Sequence, residues 1–87
     1  MIGLVYGPRF WKQAGALPRA QQDKLAHLIS LLATDPFDSR LHTKHLKQPL
    51  EGRYAFRITR DWRVTFHFVD YGTVCLLEVK HRKDIYR

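Results

Sequence analysis

The feature that most constrains this chain is the alternation that begins at Tyr54. In "YAFRIT", "RVTFHFV" and "TVCLLEVKH" apolar and polar residues take turns, and the breaks fall at Arg60-Asp61-Trp62 and Asp70-Tyr71-Gly72. A period of two places successive side chains on opposite faces of a strand, and short polar breaks of this kind close hairpins. The last third of the chain is therefore expected to form a three-stranded antiparallel meander. One of its faces must carry Phe56, Ile58, Val64, Phe66 and Phe68.

The turns set the pairing. A three-residue loop at 60–62 pairs Thr59 with Arg63 and Arg57 with Thr65, which brings those apolar residues together. Taking Tyr71-Gly72 as the next turn pairs His67 with Leu76, Thr65 with Glu78 and Arg63 with Lys80. This register places Cys75, Leu77 and Val79 on the core face with the phenylalanines, as burial under helices requires. The opposite face then collects Arg57, Thr59, Arg63, Thr65, His67, Glu78, Lys80 and Arg82. Arg63 beside Lys80 is a like-charge cross-strand pair, unfavourable unless an anion sits between the two.

Upstream, "MIGLVYG" alternates Ile2, Leu4 and Tyr6 against Gly3 and Val5, a short strand closed by Gly7-Pro8. "PRFWKQAGAL" suits a short helix anchored by Phe10 and Trp11, with Trp11 read as core. Pro18 opens a second helix, where Leu25, Leu28, Ile29 and Leu32 form one apolar stripe and His27 lies beside it at the surface. Asp35-Pro36 ends that helix near Thr34. From Pro36 to Gly52 runs a basic connection tacked down by Leu41, Leu46 and Leu50, and its length favours a binding role for His42, Lys44, His45 and Lys47. The expected fold is α+β, with a strand, two helices and the meander in order, the helices on one face of the sheet. Residues 1–87 make one domain of this kind.

Charge narrows the partners. With 15 Lys and Arg against 8 Asp and Glu, the chain carries a formal +7, a balance that suits a polyanion such as nucleic acid or an acidic protein. The single cysteine, Cys75, cannot form an internal disulfide, and no Cys/His cluster has zinc-ligand spacing, which fits a reducing compartment. "MIGLVYGPRF" has too short an apolar run for a signal peptide or a membrane span. The expectation is a cytosolic protein, complete from Met1, with no membrane association.

The order of elements, "LEGRYAFRI" followed by "DWRVTFHF", and the ending "VKHRKDIYR" resemble the RelE/ParE superfamily of type II toxins, and within it the RelE-like mRNA interferases. The resemblance runs over nearly the whole chain. It implies a β-α-α-β-β-β fold and a toxin that cleaves mRNA in the ribosomal A site, the 2′-hydroxyl attacking the adjacent phosphate. That chemistry needs a base, cations to hold the pentacovalent phosphorane and an acid for the leaving 5′-oxygen, and no metal or cofactor.

By the same resemblance Arg57, Arg63 and Arg82 clamp the scissile phosphate, and Tyr86 stacks on a base or takes part in proton transfer. His81, beside Arg82, is of a residue type that titrates near neutrality and is a further catalytic candidate, as relatives that use histidine and glutamate also leave His67 and Glu78. Glu78 is otherwise read as a salt-bridge partner orienting Arg57 or Arg63. Lys44, Lys47, Arg53, Arg60, Lys80 and Lys83 make up the expected RNA-binding set. Thr59 stands where some members carry a lysine, so a lysine base is absent there. The implied partners are a cognate antitoxin, the ribosome and mRNA. Two alternatives share the fold: a ParE-like inhibitor of DNA gyrase, and a non-catalytic RNA-binding member.

Overall fold

In the computed structural model, which describes residues 1–87, the alternating third forms the centre of a five-stranded mixed sheet. The strands are β1 (Gly3–Tyr6), β2 (Lys44–His45), β3 (Arg53–Arg57), β4 (Trp62–Asp70) and β5 (Thr73–His81), in the spatial order β1-β5-β4-β3-β2. Helices α1 (Phe10–Gly15) and α2 (Arg19–Thr34) lie between β1 and β2 in sequence. The chain therefore crosses from one sheet edge to the other through the helices, and β1 returns beside β5 as its parallel partner, Tyr6 opposite Leu76. Gly7 makes that return possible, since a Cβ there would sit 3.2 Å from the Leu77 carbonyl oxygen and 3.3 Å from that of Leu76.

The core lies between the helices and one sheet face. Leu25, Leu28 and Leu32 of the predicted α2 stripe are buried against Phe56, Ile58, Val64 and Phe66, with Phe10 from α1 fully enclosed. Complete burial of a side chain of this size stabilises by about 1.5–3 kcal/mol, so this cluster is what holds the helices to the sheet. Beyond the end of β1, the amide of Val79 donates instead to Gln13 Oε1 at 2.8 Å, which fastens α1 to β5. His27 is exposed, and α2 ends at Thr34 as Asp35-Pro36 requires.

Four expectations are corrected. Trp11 is 62% exposed: α1 has only six residues, and Phe10 takes the inward position while Trp11 lies over Tyr6, ring centroids 4.6 Å apart. The first hairpin closes one residue earlier on each strand, with Ile58 N–H donating to Trp62 O and Arg57 facing Arg63 rather than Thr65. Thr59 Oγ1 holds that tip by accepting from the amides of Asp61 and Trp62. The shift keeps each side chain on its predicted face, because moving the turn by one position displaces the pairing by two.

The second hairpin has the predicted register from Arg63–Lys80 to Thr65–Glu78, and then a bulge at Leu77 changes it to Phe66–Leu76 and His67–Cys75. An extra residue on one strand exchanges the faces beyond it. Val74 and Leu76 are therefore fully buried, while Cys75 and Leu77 stand half-exposed on the other side. Finally, the basic connection is not all loop. Asp38 caps a 3-10 turn at Ser39–Leu41, and Lys44–His45 pair with Ala55 and Tyr54 as the edge strand β2.

Candidate functional site

The second sheet face is where the arginines gather. Alternation along β3 and β4 puts Arg57 and Arg63 on it, and the hairpin register sets them directly opposite one another. Lys80 continues the row from β5, opposite Arg63 on its other side. Like charges in facing positions oppose sheet formation, so the core on the far face must hold them there.

Past His81 the chain leaves β5 through a second 3-10 turn, Arg82–Asp84, and folds back over this face. Two contacts place Arg82: its amide donates to Asp61 O at 2.7 Å, and its Nε lies 3.5 Å from Asp61 Oδ1. Ile85 is buried with Leu46 and Ala55 in a small apolar cluster of its own, which Leu50 flanks. The last anchor is Tyr86, whose hydroxyl accepts a hydrogen bond from the Lys47 amide at 2.9 Å. The connection Leu46–Leu50 and the C-terminal segment thus hold each other against the sheet.

Between them lies a cavity of about 190 Å³, lined by Lys44, Leu46, Ala55, Arg63, Arg82, Ile85 and Tyr86. Its floor is apolar and its rim is cationic. The Nε–H groups of Arg57 and Arg63 are buried and find no acceptor within the chain, although unpaired buried donors are costly and rare. The pKa of Arg63 is pulled below the ordinary arginine value, first by burial and then by Arg57 and Arg82, with Asp61 acting the other way. An arginine keeps its proton at any physiological pH, so this depression reflects the cost of burying its charge first and the crowding of positive charge second. An anion bound among the three guanidiniums would relieve it and would accept the orphaned donors.

The other predicted residues are distributed unevenly. Lys44 lines the cavity, Lys80 is half-buried beside it with Nζ donating to Arg87 O at 3.2 Å, and Lys47 contributes its amide. Arg60 sits exposed at the hairpin tip, where its carbonyl accepts from Arg63 Nη2 at 3.4 Å. Lys83 is exposed, and its amide donates to His81 Nδ1. Arg53 lies four residues before Arg57 and lines a different cleft. His81 is not brought to the arginines: it pairs with Trp62 in the sheet and packs edge-on against that indole, on the side that carries Val64 and Val79. Glu78 orients neither Arg57 nor Arg63. Its carboxylate is 3.6 Å from Lys80 Nζ and 3.9 Å from Arg9 Nη1, and Arg9 carries no signal in the sequence that would have joined it to this face.

The comparison with solved structures shows that a mixed sheet in this order with the helices on one side is an α+β fold shared with YoeB/ParE, YafQ and RelBE2 toxins. The YoeB/ParE toxin from Agrobacterium tumefaciens superposes with a TM-score of 0.80 over 93% of this chain and 99% of its own, at 19% identity. YafQ from Escherichia coli gives 0.79 with both chains covered in full, at 14% identity. The toxin–antitoxin complex RelBE2 from Mycobacterium tuberculosis gives 0.76 over 93% of this chain and 98% of the other, at 22% identity. No protein-family model and no curated protein matches the sequence. What is shared is the fold. No helix is long and apolar enough to cross a membrane.

Proposed function

We propose that this chain is the toxin of a type II toxin–antitoxin pair and that it acts as an endoribonuclease, cutting mRNA in the ribosomal A site. The observation that carries the reading is the convergence of Arg57, Arg63 and Arg82 with Tyr86 on one face of this fold, around buried donors that have no partner. Such a cluster is matched to a phosphate whose charge increases as the reaction proceeds. The 2′-hydroxyl gives up its proton to solvent as its oxygen attacks the adjacent phosphorus, the bond to the 5′-oxygen breaks as that oxygen takes a proton, and the products are a 2′,3′-cyclic phosphate and a 5′-hydroxyl.

In that sequence Arg57, Arg63 and Arg82 hold the non-bridging oxygens, and they bind the phosphorane more tightly than the diester because it carries more charge. Three fixed cations supply the electrostatic role that a metal would fill elsewhere. Tyr86 is suited to protonate the leaving 5′-oxygen. Its hydroxyl accepts from the Lys47 amide, so its own proton is free to be donated, and the amide stabilises the phenolate that results. The apolar floor of Leu46, Ala55 and Ile85 gives a neighbouring nucleobase a dry surface.

A partner that masks this face would be acidic, since opposite charge steers such encounters, and a toxin–antitoxin complex is among the similar structures. The proposal is tested by the ends it leaves. Message recovered from a translating extract treated with the protein should carry fragments with 5′-hydroxyls, which a polynucleotide kinase labels without prior phosphatase. Fragments with 5′-phosphates would overturn the chemistry proposed here.

A further inference from the structure

The sheet face that carries the arginine cavity has a second cleft, displaced toward β1 and β5. It encloses about 200 Å³ and is lined by Gly7, Pro8, Arg9, Arg53, Leu77 and Glu78. Arg53 enters it from β3, where it pairs with His67, and its guanidinium takes part in none of the ion pairs of the chain. Arg9 enters from the turn after β1 and stays 78% exposed at its side chain, only loosely held by Glu78 at 3.9 Å. Glu78 is shared with Lys80 at 3.6 Å. One carboxylate therefore stands among Arg9, Arg53 and Lys80 and leaves the cleft net positive.

The position of the cleft is as informative as its charge. Arg53 and Arg57 lie on the same face of one strand four residues apart, which at ~3.3 Å per residue is about 13 Å. The bulge at Leu77 turns that residue out to line the cleft, the kind of local re-aiming that bulges supply beside functional sites. One phosphate cannot touch both groups of cations, but a short run of single-stranded backbone can.

Resting on the ribonuclease reading above, we propose that Arg9 and Arg53 form a second phosphate-binding site, for a phosphate further along the same single strand than the one held by Arg57, Arg63 and Arg82. The strand then runs along the direction of β3, and its register on the enzyme is fixed at two points. Glu78 is the counterweight in this arrangement: it holds Arg9 and Lys80 in place and limits how tightly the strand is kept.

Fluorescence anisotropy with a labelled trinucleotide and a labelled octanucleotide, both made uncleavable by 2′-O-methylation, tests this across a salt series. Arg9→Gln and Arg53→Gln should each weaken octanucleotide binding several-fold and reduce the slope of log affinity against log salt by about one, with the trinucleotide unaffected. Arg63→Gln should weaken both oligonucleotides. Glu78→Gln should tighten the octanucleotide, which loss of a merely structural ion pair would not do. If Arg9→Gln and Arg53→Gln leave octanucleotide affinity and its salt slope unchanged while Arg63→Gln weakens both ligands, the second site is wrong and the ribonuclease reading stands. If neither oligonucleotide binds the wild-type protein, the second site falls while the ribonuclease reading is decided by cleavage on ribosomes; if both bind and Arg63→Gln changes nothing, the cavity holds no phosphate and both readings fall.

Discussion

Arg63 shows how a single residue can be placed against its own electrostatic interest. It faces Arg57 on one side and Lys80 on the other, its Nε is buried without an acceptor, and burial and its neighbours depress its pKa. Removing it should therefore cost the fold nothing and the chemistry a great deal. Arg63→Ala is expected to lower cleavage by ~10²-fold or more, the loss typical of one transition-state donor, with a melting temperature equal to or above that of the wild type. Arg82→Ala should lose as much activity while giving up only an exposed ion pair to Asp61, worth about 0–1 kcal/mol. Single-turnover cleavage and thermal melts check both, and a variant that cuts at the wild-type rate would remove that arginine from the site. For Tyr86→Phe the ring and its stacking survive and the proton does not, so kcat should fall by about 10²-fold with KM nearly unchanged; equal losses in both would instead indicate a binding role. That Arg57 and Arg63 share one face was legible in the sequence because strand parity alone fixes it, whereas Arg82 lies in a 3-10 turn that parity does not describe. His81 was a candidate for its adjacency to Arg82, but adjacency in sequence says nothing of the face, and His81 shares the parity of Val79.

Among the elements, the C-terminal segment does most to make a cavity out of a sheet face. Ile85 is its anchor, buried at 6% exposure with Leu46 and Ala55, a cluster much smaller than the one that encloses Leu32. Ile85→Ala should cost about 2 kcal/mol and Leu32→Ala about 3–4 kcal/mol in urea unfolding, yet Ile85→Ala should lose far more activity, because it frees Tyr86 and Arg82 from the sheet. The reverse order of activities would contradict this division of labour. The connection before β3 is held differently. Asp38 caps the 3-10 turn by accepting from the Arg40 amide and guanidinium, and that hydrogen bonding draws its carboxyl down to about 2. A depressed carboxyl contributes above its ordinary value and is released as pH falls through the folded one, so this turn should keep its cap through mild acid. A carboxyl NMR titration with a midpoint near 2 is expected, and one near the ordinary 3.8 would show the cap to be absent. Alternation and turn chemistry revealed β1, β3, β4 and β5, and the apolar stripe and the prolines revealed the helices. Two features stayed hidden for physical reasons. Val74-Cys75-Leu76-Leu77 is apolar at each position, so either parity buries hydrophobic residues and the bulge leaves no mark. Lys44–His45 is too short to alternate, and β2 exists only because β3 offers it an edge.

In the whole molecule three properties meet: a formal charge of +7, a fold whose helices take one sheet face and leave the other for cations, and a C-terminus that folds back to complete a cavity there. The charge gives attraction to any polyanion, whereas the fold brings Arg57 and Arg82 close enough to Arg63 to act on its charge, and that placement is what the proposed cleavage requires. The second cleft on the same sheet face extends the proposal from one phosphate to a strand. The most direct test is primer extension on a defined mRNA in a reconstituted translation reaction, with and without the protein and with and without ribosomes. The account predicts discrete cuts within codons occupying the A site, absent when ribosomes are omitted and absent with Arg63→Ala. A message that stays intact beside translating ribosomes, at protein concentrations equal to theirs, would contradict it.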